Sequence, residues 1–281
     1  MQDSRPVSTP GATNVVLTQR SDGDDARTDF PFSECVGKLL YLARMTRPDI
    51  MTAVCLAARF TSDPTGQHIS ALKRILRYLV GTSSRGIVLG GKSRPILRIA
   101  SDASFAEDMQ QRKSTTGIIA MYGGPIDFCC RKQSTVALST TEAEVNAMTE
   151  GVRMGIYLRT LIHDIEAAPL PPTFFDEDNQ AAIAVVVGRT GTKSRTKHYD
   201  IKVRFLQEHM TGDNRKFELV YCSTSNMIAD FLTKNLPTPA FVALTNQVMR
   251  GSVGETECIT RAESGSAQAV PQATMQHNHR S

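Results

Sequence analysis

One stretch constrains the fold more than any other: Ile96-Leu97-Arg98-Ile99-Ala100-Ser101-Asp102-Ala103-Ser104. Apolar and polar residues alternate along it with the period of a half-buried strand, and the strand delivers the carboxylate of Asp102 at its exposed end. Thr115 to Tyr122 alternates in the same way, Gly123-Gly124-Pro125 turns the chain, and Ile126 to Cys130 returns. Three sequential strands joined by short turns make an antiparallel meander.

Beyond the meander the pattern predicts helices and strands in alternation. A long helix is expected from Thr140 or Thr141 to about Glu166, with Val145, Met148, Val152, Ile156, Leu161 and Ile165 at three- and four-residue steps. Hydroxyl residues ending at Ser139 suit its N-terminus, and Pro169, Pro171 and Pro172 stop it. Then come an expected strand at 173–176, a helix at 179–187, a basic loop at 188–197, a helix at 199–210, a strand at 216–222 and a last helix at 225–232. Five strands, the first three antiparallel, interleaved with helices predict an α/β fold with a mixed sheet.

Upstream the pattern is helical, and residues 31–83 read as a small helical module ahead of an α/β domain at 84–248. Val36, Leu39, Leu40 and Ala43 share one face, and Arg47-Pro48-Asp49 opens a second helix with proline in its first turn. A third helix after Pro64 buries Ile69, Leu72, Ile75, Leu76 and Leu79, and turns Lys73, Arg74 and Arg77 outward. That cationic side is either a solvated face or one that tracks a phosphate backbone. Residues 1–30 and 249–281 carry little apolar content and are expected to be disordered.

Bulk properties narrow the class. A chain of 281 residues with 41% hydrophobic content can bury a sizeable core, and a formal charge of +4 is only mildly basic. Six cysteines without a C-x-x-C spacing fit a reducing compartment, so the expected location is cytoplasmic or nuclear rather than secreted. Apolar runs such as Ala181 to Val187 fall far short of the roughly 20 residues a membrane-spanning helix needs, and no membrane segment is expected.

Three more acids stand in contexts as ordered as that of Asp102: Glu144 in Thr141-Glu142-Ala143-Glu144, Asp178 in Asp176-Glu177-Asp178-Asn179-Gln180, and Asp230 in Ile228-Ala229-Asp230. A two-ion phosphodiesterase needs anionic oxygens dense enough to hold divalent ions roughly 3.5 to 4 Å apart. Mg²⁺ takes oxygen donors, so a cage of Asp and Glu without Cys is the expected chemistry. Two positions stay open. Glu142 lies about 200° round the helix from Glu144, so the two cannot both face one cage. Asp176 alternates with Asp178 on the same strand face.

These segments carry a resemblance. Val36-Gly37-Lys38-Leu39-Leu40-Tyr41-Leu42-Ala43, Thr46-Arg47-Pro48-Asp49-Ile50 and Ala71 to Thr82 resemble the end of the reverse transcriptase region in copia-type LTR retrotransposon polyproteins. Arg112-Lys113-Ser114-Thr115-Thr116-Gly117, Asp178-Asn179-Gln180, Ser194-Arg195-Thr196-Lys197-His198-Tyr199-Asp200-Ile201 and Ile228-Ala229-Asp230-Phe231-Leu232-Thr233-Lys234 are similar to motifs of the ribonuclease H domain that comes after it there. The correspondence runs from about residue 31 to 248.

The resemblance implies a ribonuclease H-like five-stranded mixed sheet flanked by helices. It also implies two Mg²⁺ ions, with Mn²⁺ as substitute, on Asp102, Glu144, Asp178 and Asp230. Asp102 matches the aspartate that bridges both ions and Glu144 the helix glutamate of the second. The implied activity is endonucleolytic hydrolysis of the RNA strand of RNA–DNA hybrids. Arg112, Lys113, Arg195, Lys197, His198, Lys73 and Arg77 would bind the nucleic acid, and the polymerase part of the polyprotein would be a partner. The alternative is a non-catalytic nucleic-acid-binding remnant. No Tyr-x-Asp-Asp polymerase motif occurs, and the chain has no Trp, which related sequences often carry after the first aspartate.

Overall fold

A computed structural model describes residues 4–13, 15–21, 29–90, 95–108, 110–188 and 197–250, the last stretch without the side chains of residues 197 and 198. Helix α1 spans Phe32–Met45 and buries Phe32, Val36, Leu39 and Ala43, residues spaced by three and four. A 3₁₀ turn at Pro48–Ile50 leads into α2, Met51–Ala58. Helix α3, Gly66–Gly81, starts at Thr65, whose backbone N–H donates to His68 Nδ1 at 2.9 Å.

A short strand β1, Gly86–Ile87, precedes the meander of β2 (Arg98–Ser104), β3 (Thr115–Met121) and β4 (Pro125–Lys132). Helix α4, Thr140–Glu166, ends where Ala167 turns left-handed. After it come β5 (Thr173–Glu177), α5 (Gln180–Val186), α6 (Lys197–Met210) and β6 (Phe217–Tyr221). Two 3₁₀ segments, Thr224–Asn226 and Ile228–Leu232, lead to α7 (Thr238–Thr245) and β7 (Met249–Arg250), which pairs with β1. The main sheet has the order β4-β3-β2-β5-β6, with β5 parallel to both β2 and β6. This is the five-stranded mixed sheet flanked by helices that the sequence leads one to expect.

Each face of the sheet carries its own core. Leu97, Ile99, Ile118, Phe175 and Phe217 pack under α4, α5 and α6 with Val145, Met148, Ile183 and Leu206. Helix α4 rides close to the strands because Gly155 lacks a side chain: a Cβ there would lie 2.5 Å from the Phe217 ring and 2.6 Å from Ile99. On the other face Ala100, Ile119 and Phe128 share one core with α1, α2, α3, α7 and the Ile228–Leu232 segment. Adjacent Cys129 and Cys130 divide between the two cores, as strand alternation requires. Among the described residues no helix is long and apolar enough to cross a membrane.

Three expectations need correction. The helical module is continuous with the sheet's core, because α2 packs directly on β4 and on the Ile228–Leu232 segment; the Thr52 hydroxyl donates to the Phe231 carbonyl at 2.7 Å. Residues 4–13 and 15–21, expected to be disordered, lie along α3. Arg77 donates to the Arg5 carbonyl at 2.7 Å, Arg74 to the Thr9 hydroxyl at 2.9 Å and Gln67 to the Thr18 carbonyl at 3.1 Å. Polar contacts hold this segment, and apolar content alone does not reveal them. The last helix expected at 225–232 is two 3₁₀ segments, and α7 follows downstream with Pro239 in its first turn, where a missing N–H costs nothing.

Candidate active site

The acids meet at one end of the sheet, delivered from both of its faces. Asp102 follows Ala100 on the face that carries the Ile228–Leu232 segment, and it lies opposite Gly117 in the β2–β3 ladder. A Cβ on Gly117 would come within 2.7 Å of Thr233 and 2.8 Å of Leu232. The bare glycine thus lets the segment bearing Asp230 settle onto β3 beside Asp102. The Thr233 hydroxyl donates to Asp102 Oδ2, and Lys234 Nζ pairs with Asp230 Oδ1 at 2.9 Å.

Glu144 comes from the other side. Ser139 caps α4 by accepting from the Glu142 N–H at 3.1 Å, and Glu142 returns the bond by accepting from the Leu138 N–H at 2.9 Å. Glu142 is therefore spent on the helix end, and Glu144, further in and buried, faces the sheet. Asp176 is spent too: Arg98 forks onto its two oxygens at 2.5 and 2.7 Å. Asp178 lies just beyond β5 and accepts from the Thr224 hydroxyl at 2.7 Å.

Carboxylate oxygens of Asp102, Asp178 and Asp230 lie within 4.8 Å of one another, and those of Glu144, Glu177 and Asp178 do likewise. All four expected acids are thus gathered. The member common to both groups is Asp178, whereas the resemblance makes Asp102 the bridge. Glu177 is the acid that sequence reasoning misses. Its only signal is its place beside Asp178, which strand alternation reads as pointing away. It does point to the other face, with Phe175, but α4 brings Glu144 to that same face.

So many carboxylates under one roof resist ionising together. Burial, then repulsion from Glu177, Asp102 and Asp178, pushes Glu144 up to about 11. Burial, reinforced by Asp178 and Asp102, also raises Glu177 well above the usual carboxylate range. Asp230 is pushed up to about 7 by burial and then by Asp102, against the pull of Lys234. Burial raises Asp102 as well, while Lys234 and the Thr233 hydroxyl oppose it.

This donor set suits a hard divalent cation. Every ligand is a carboxylate oxygen, and Glu144 Oε2 is buried with no hydrogen-bond partner among the described residues. A buried acid oxygen without a partner is costly, and a bound cation is one way to satisfy it.

The expected cations are distributed differently. Arg112 is exposed on the loop between β2 and β3, held left-handed at φ 52° by its N–H bond to the Asp108 carbonyl, and Lys113 beside it is partly buried. Lys73 lies over the Phe30 ring and Arg77 binds the Arg5 carbonyl, so α3 spends both on the N-terminal segment. Arg195 and the side chains of Lys197 and His198 lie outside the described residues. Behind Glu144, Lys202 of α6 donates to Asn146 at 2.7 Å, Asn146 to Gln133, and Gln133 to Thr116, a polar chain from α6 to β3 that patterning does not suggest.

No protein-family model matches the chain. Among curated proteins it is 36% identical over 249 residues to the retrovirus-related Pol polyprotein from transposon TNT 1-94 of Nicotiana tabacum, covering 86% of this chain. It is 33% identical over 249 residues to that from transposon RE1 of Arabidopsis thaliana, covering 88%. This chain belongs to the copia-type retrotransposon Pol polyproteins. It spans only 18% and 17% of those two relatives. Among solved structures, the N-terminal RNase H domain of rv2228c from Mycobacterium tuberculosis aligns with 54% of this Pol chain and 97% of its own at TM-score 0.36 and 11% identity.

Proposed function

We propose that this Pol chain is a divalent-metal-dependent ribonuclease H that hydrolyses the RNA strand of RNA–DNA hybrids. The observation that carries the reading is the sharing of Asp178 between two carboxylate groups at one sheet end. Asp102, Asp178 and Asp230 would hold one Mg²⁺, and Glu144 with Asp178 the other. A bound pair of such ions supplies an activated water and stabilises the leaving oxygen.

The chain's own residues prepare that site. Thr233 fixes the orientation of Asp102, Ser139 fixes the start of α4 and so the reach of Glu144, and Thr224 holds Asp178. Burial of Asp102, Glu144 and Asp230 keeps bulk water off the ligand oxygens. Arg112, Lys113, Arg195, Lys197 and His198 are the cations proposed to position phosphates, and 2′-hydroxyls in the hybrid's wide minor groove would distinguish it from duplex DNA. The polymerase part of a Pol polyprotein is the proposed partner, and the cytoplasm or nucleus the proposed location.

Labelled RNA–DNA hybrid incubated with the full chain tests this. Cleavage of the RNA strand in Mg²⁺, abolished by EDTA and absent on duplex DNA, is the expected result. Binding without cleavage in both Mg²⁺ and Mn²⁺ would make the chain a nucleic-acid-binding remnant, and equal cutting of DNA would overturn the substrate class.

A further inference from the structure

Glu177 is fully buried at 0% exposure, at the end of β5 where the sheet meets α4. One oxygen accepts from the Asn179 N–H at 3.1 Å, and Oε2 has no hydrogen-bond partner among the described residues. Its neighbour across the gap, Glu144 Oε2, is likewise buried and without a partner. The Ser101 hydroxyl, buried on the same face of the sheet, lies near enough to favour the charged form of Glu177 but carries no positive charge to balance it. Two orphaned acid oxygens thus sit together. Folded proteins satisfy nearly all buried polar groups, so such a pair marks a missing partner.

The sign of the missing partner comes from what surrounds it. Lys234 is paired with Asp230 in the other acid group, on the opposite face of β2, and among the described residues Glu144 and Glu177 have no basic side chain in ion-pair contact. Two acids whose oxygens approach within 4.8 Å of each other and of Asp178, with no protein cation between them, are complementary to a cation that comes from solution. Glu144 and Asp178 alone would offer such an ion two protein carboxylates; with Glu177 it has three, matching the three on the Asp102 side.

We propose that Glu177 is a fifth carboxylate of the cage, a direct ligand of the divalent ion that Glu144 and Asp178 hold. The assignment rests on the metal-dependent reading above and adds to it a residue from this chain's Asp176-Glu177-Asp178 run. It makes the site symmetric in charge, three acids to each ion with Asp178 common.

Titration of the full chain with Mn²⁺, followed by calorimetry and by the paramagnetic signal of free Mn²⁺, tests this without requiring turnover. The parent is expected to take up two ions. Glu177→Gln keeps the shape and the Asn179 bond while removing the anionic oxygen. It should weaken one ion by at least about tenfold, the lower bound seen when even a supporting partner of a metal ligand is lost, and leave the other unchanged. Glu177→Asp keeps the charge but shortens the reach; it should weaken the same ion and serves as the measured variant if the first does not fold. Two ions bound with parental affinity by either folded variant would overturn the assignment, as would a parent that takes up none. A parent that binds two ions yet leaves hybrid uncut would refute the nuclease reading and leave the Glu177 assignment to be decided by the variant titrations.

Discussion

Gly117 faces Asp102 directly across the β2–β3 ladder, and its missing side chain is the space into which Thr233 and Leu232 pack. A methyl group there would sit under 3 Å from both, so Gly117→Ala must lift the Asp230-bearing segment off the sheet. Overpacking of this kind costs roughly 1 to 3 kcal/mol. A lower melting temperature and weaker uptake of the ion on Asp102 and Asp230, both read on the purified variant, are expected. Unchanged metal uptake would show that the close approach is not what places Asp230.

The sequence makes this site legible unevenly. Asp102 and Asp178 are readable because each accompanies an alternating strand followed by a turn, although Asp102 lies buried inside β2 and not at its exposed end, and Asp178 falls just past β5. Glu144 competes with Glu142 until the capping bonds to Leu138 and Ser139 separate a helix-end acid from an inward-facing one. Asp176 competes with Asp178 until Arg98, two positions before Ala100 on β2 and a neighbour across the sheet, is seen to occupy it. Glu177 is invisible for a different reason. Periodicity says which way a side chain points but not which element waits on that side, and the seating of α4 is tertiary information. The course of residues 4–13 and 15–21 along α3 is lost in the same way, since hydrogen bonds to backbone carbonyls leave no compositional trace.

The metal count separates two assignments of the shared ligand. By distance Asp178 belongs to both acid groups and Asp102 to one, so Asp178→Asn should abolish uptake of both Mn²⁺ ions while Asp102→Asn spares the one at Glu144. The opposite pattern in a Mn²⁺ titration would return the bridging role to Asp102, as the resemblance implies.

Stability without metal should fall as pH rises. Asp230 is pushed up to about 7 in the folded chain from an ordinary value of 3.8, so the folded state holds the proton more tightly than the unfolded one. A raised carboxyl stabilises fully below its unfolded value and loses that contribution as pH climbs through the folded value. Melting in EDTA is expected to drop between about pH 4 and about pH 7, and Asp230→Asn should flatten that part of the profile. Saturating Mg²⁺ should reverse the trend, because the ion binds the deprotonated cage. A melting temperature in EDTA that rises across this window would mean Asp230 is not held protonated.

Substrate binding offers a test that leaves the acids untouched. If Arg195 and Lys197 each neutralise one phosphate, replacing both with Ala should reduce the slope of log affinity against log salt by up to about two units, at roughly 0.9 per contact on duplex DNA. Lys73→Ala with Arg77→Ala is the contrasting pair. Both side chains are engaged by the N-terminal segment, so the slope should hold while the contacts to Phe30 and Arg5 are lost. A slope that drops with the second pair and not the first would reverse the two surfaces.

Lys234 decides how the cage survives without an ion. Its ammonium sits 2.9 Å from Asp230, and Asp102, Asp230 and Asp178 together raise its hold on the proton although burial works against it. It stands in for part of the charge that a metal would bring, and an arriving ion must share Asp230 with it. Lys234→Met therefore has two opposite effects. The apo protein loses a counter-charge and should melt lower at about pH 8, where the acids are most ionised. The ion on Asp102, Asp178 and Asp230 meets a more negative cage and should bind tighter by about 1 kcal/mol or more, a factor of about five, since a unit charge a few ångströms away contributes at least that even at the dielectric of water. Calorimetric titration with Mg²⁺ beside melting in EDTA reads both. Weaker Mg²⁺ binding by the variant would instead make Lys234 a support that holds Asp230 in its ligating position, and the cage would then depend on the lysine in both states.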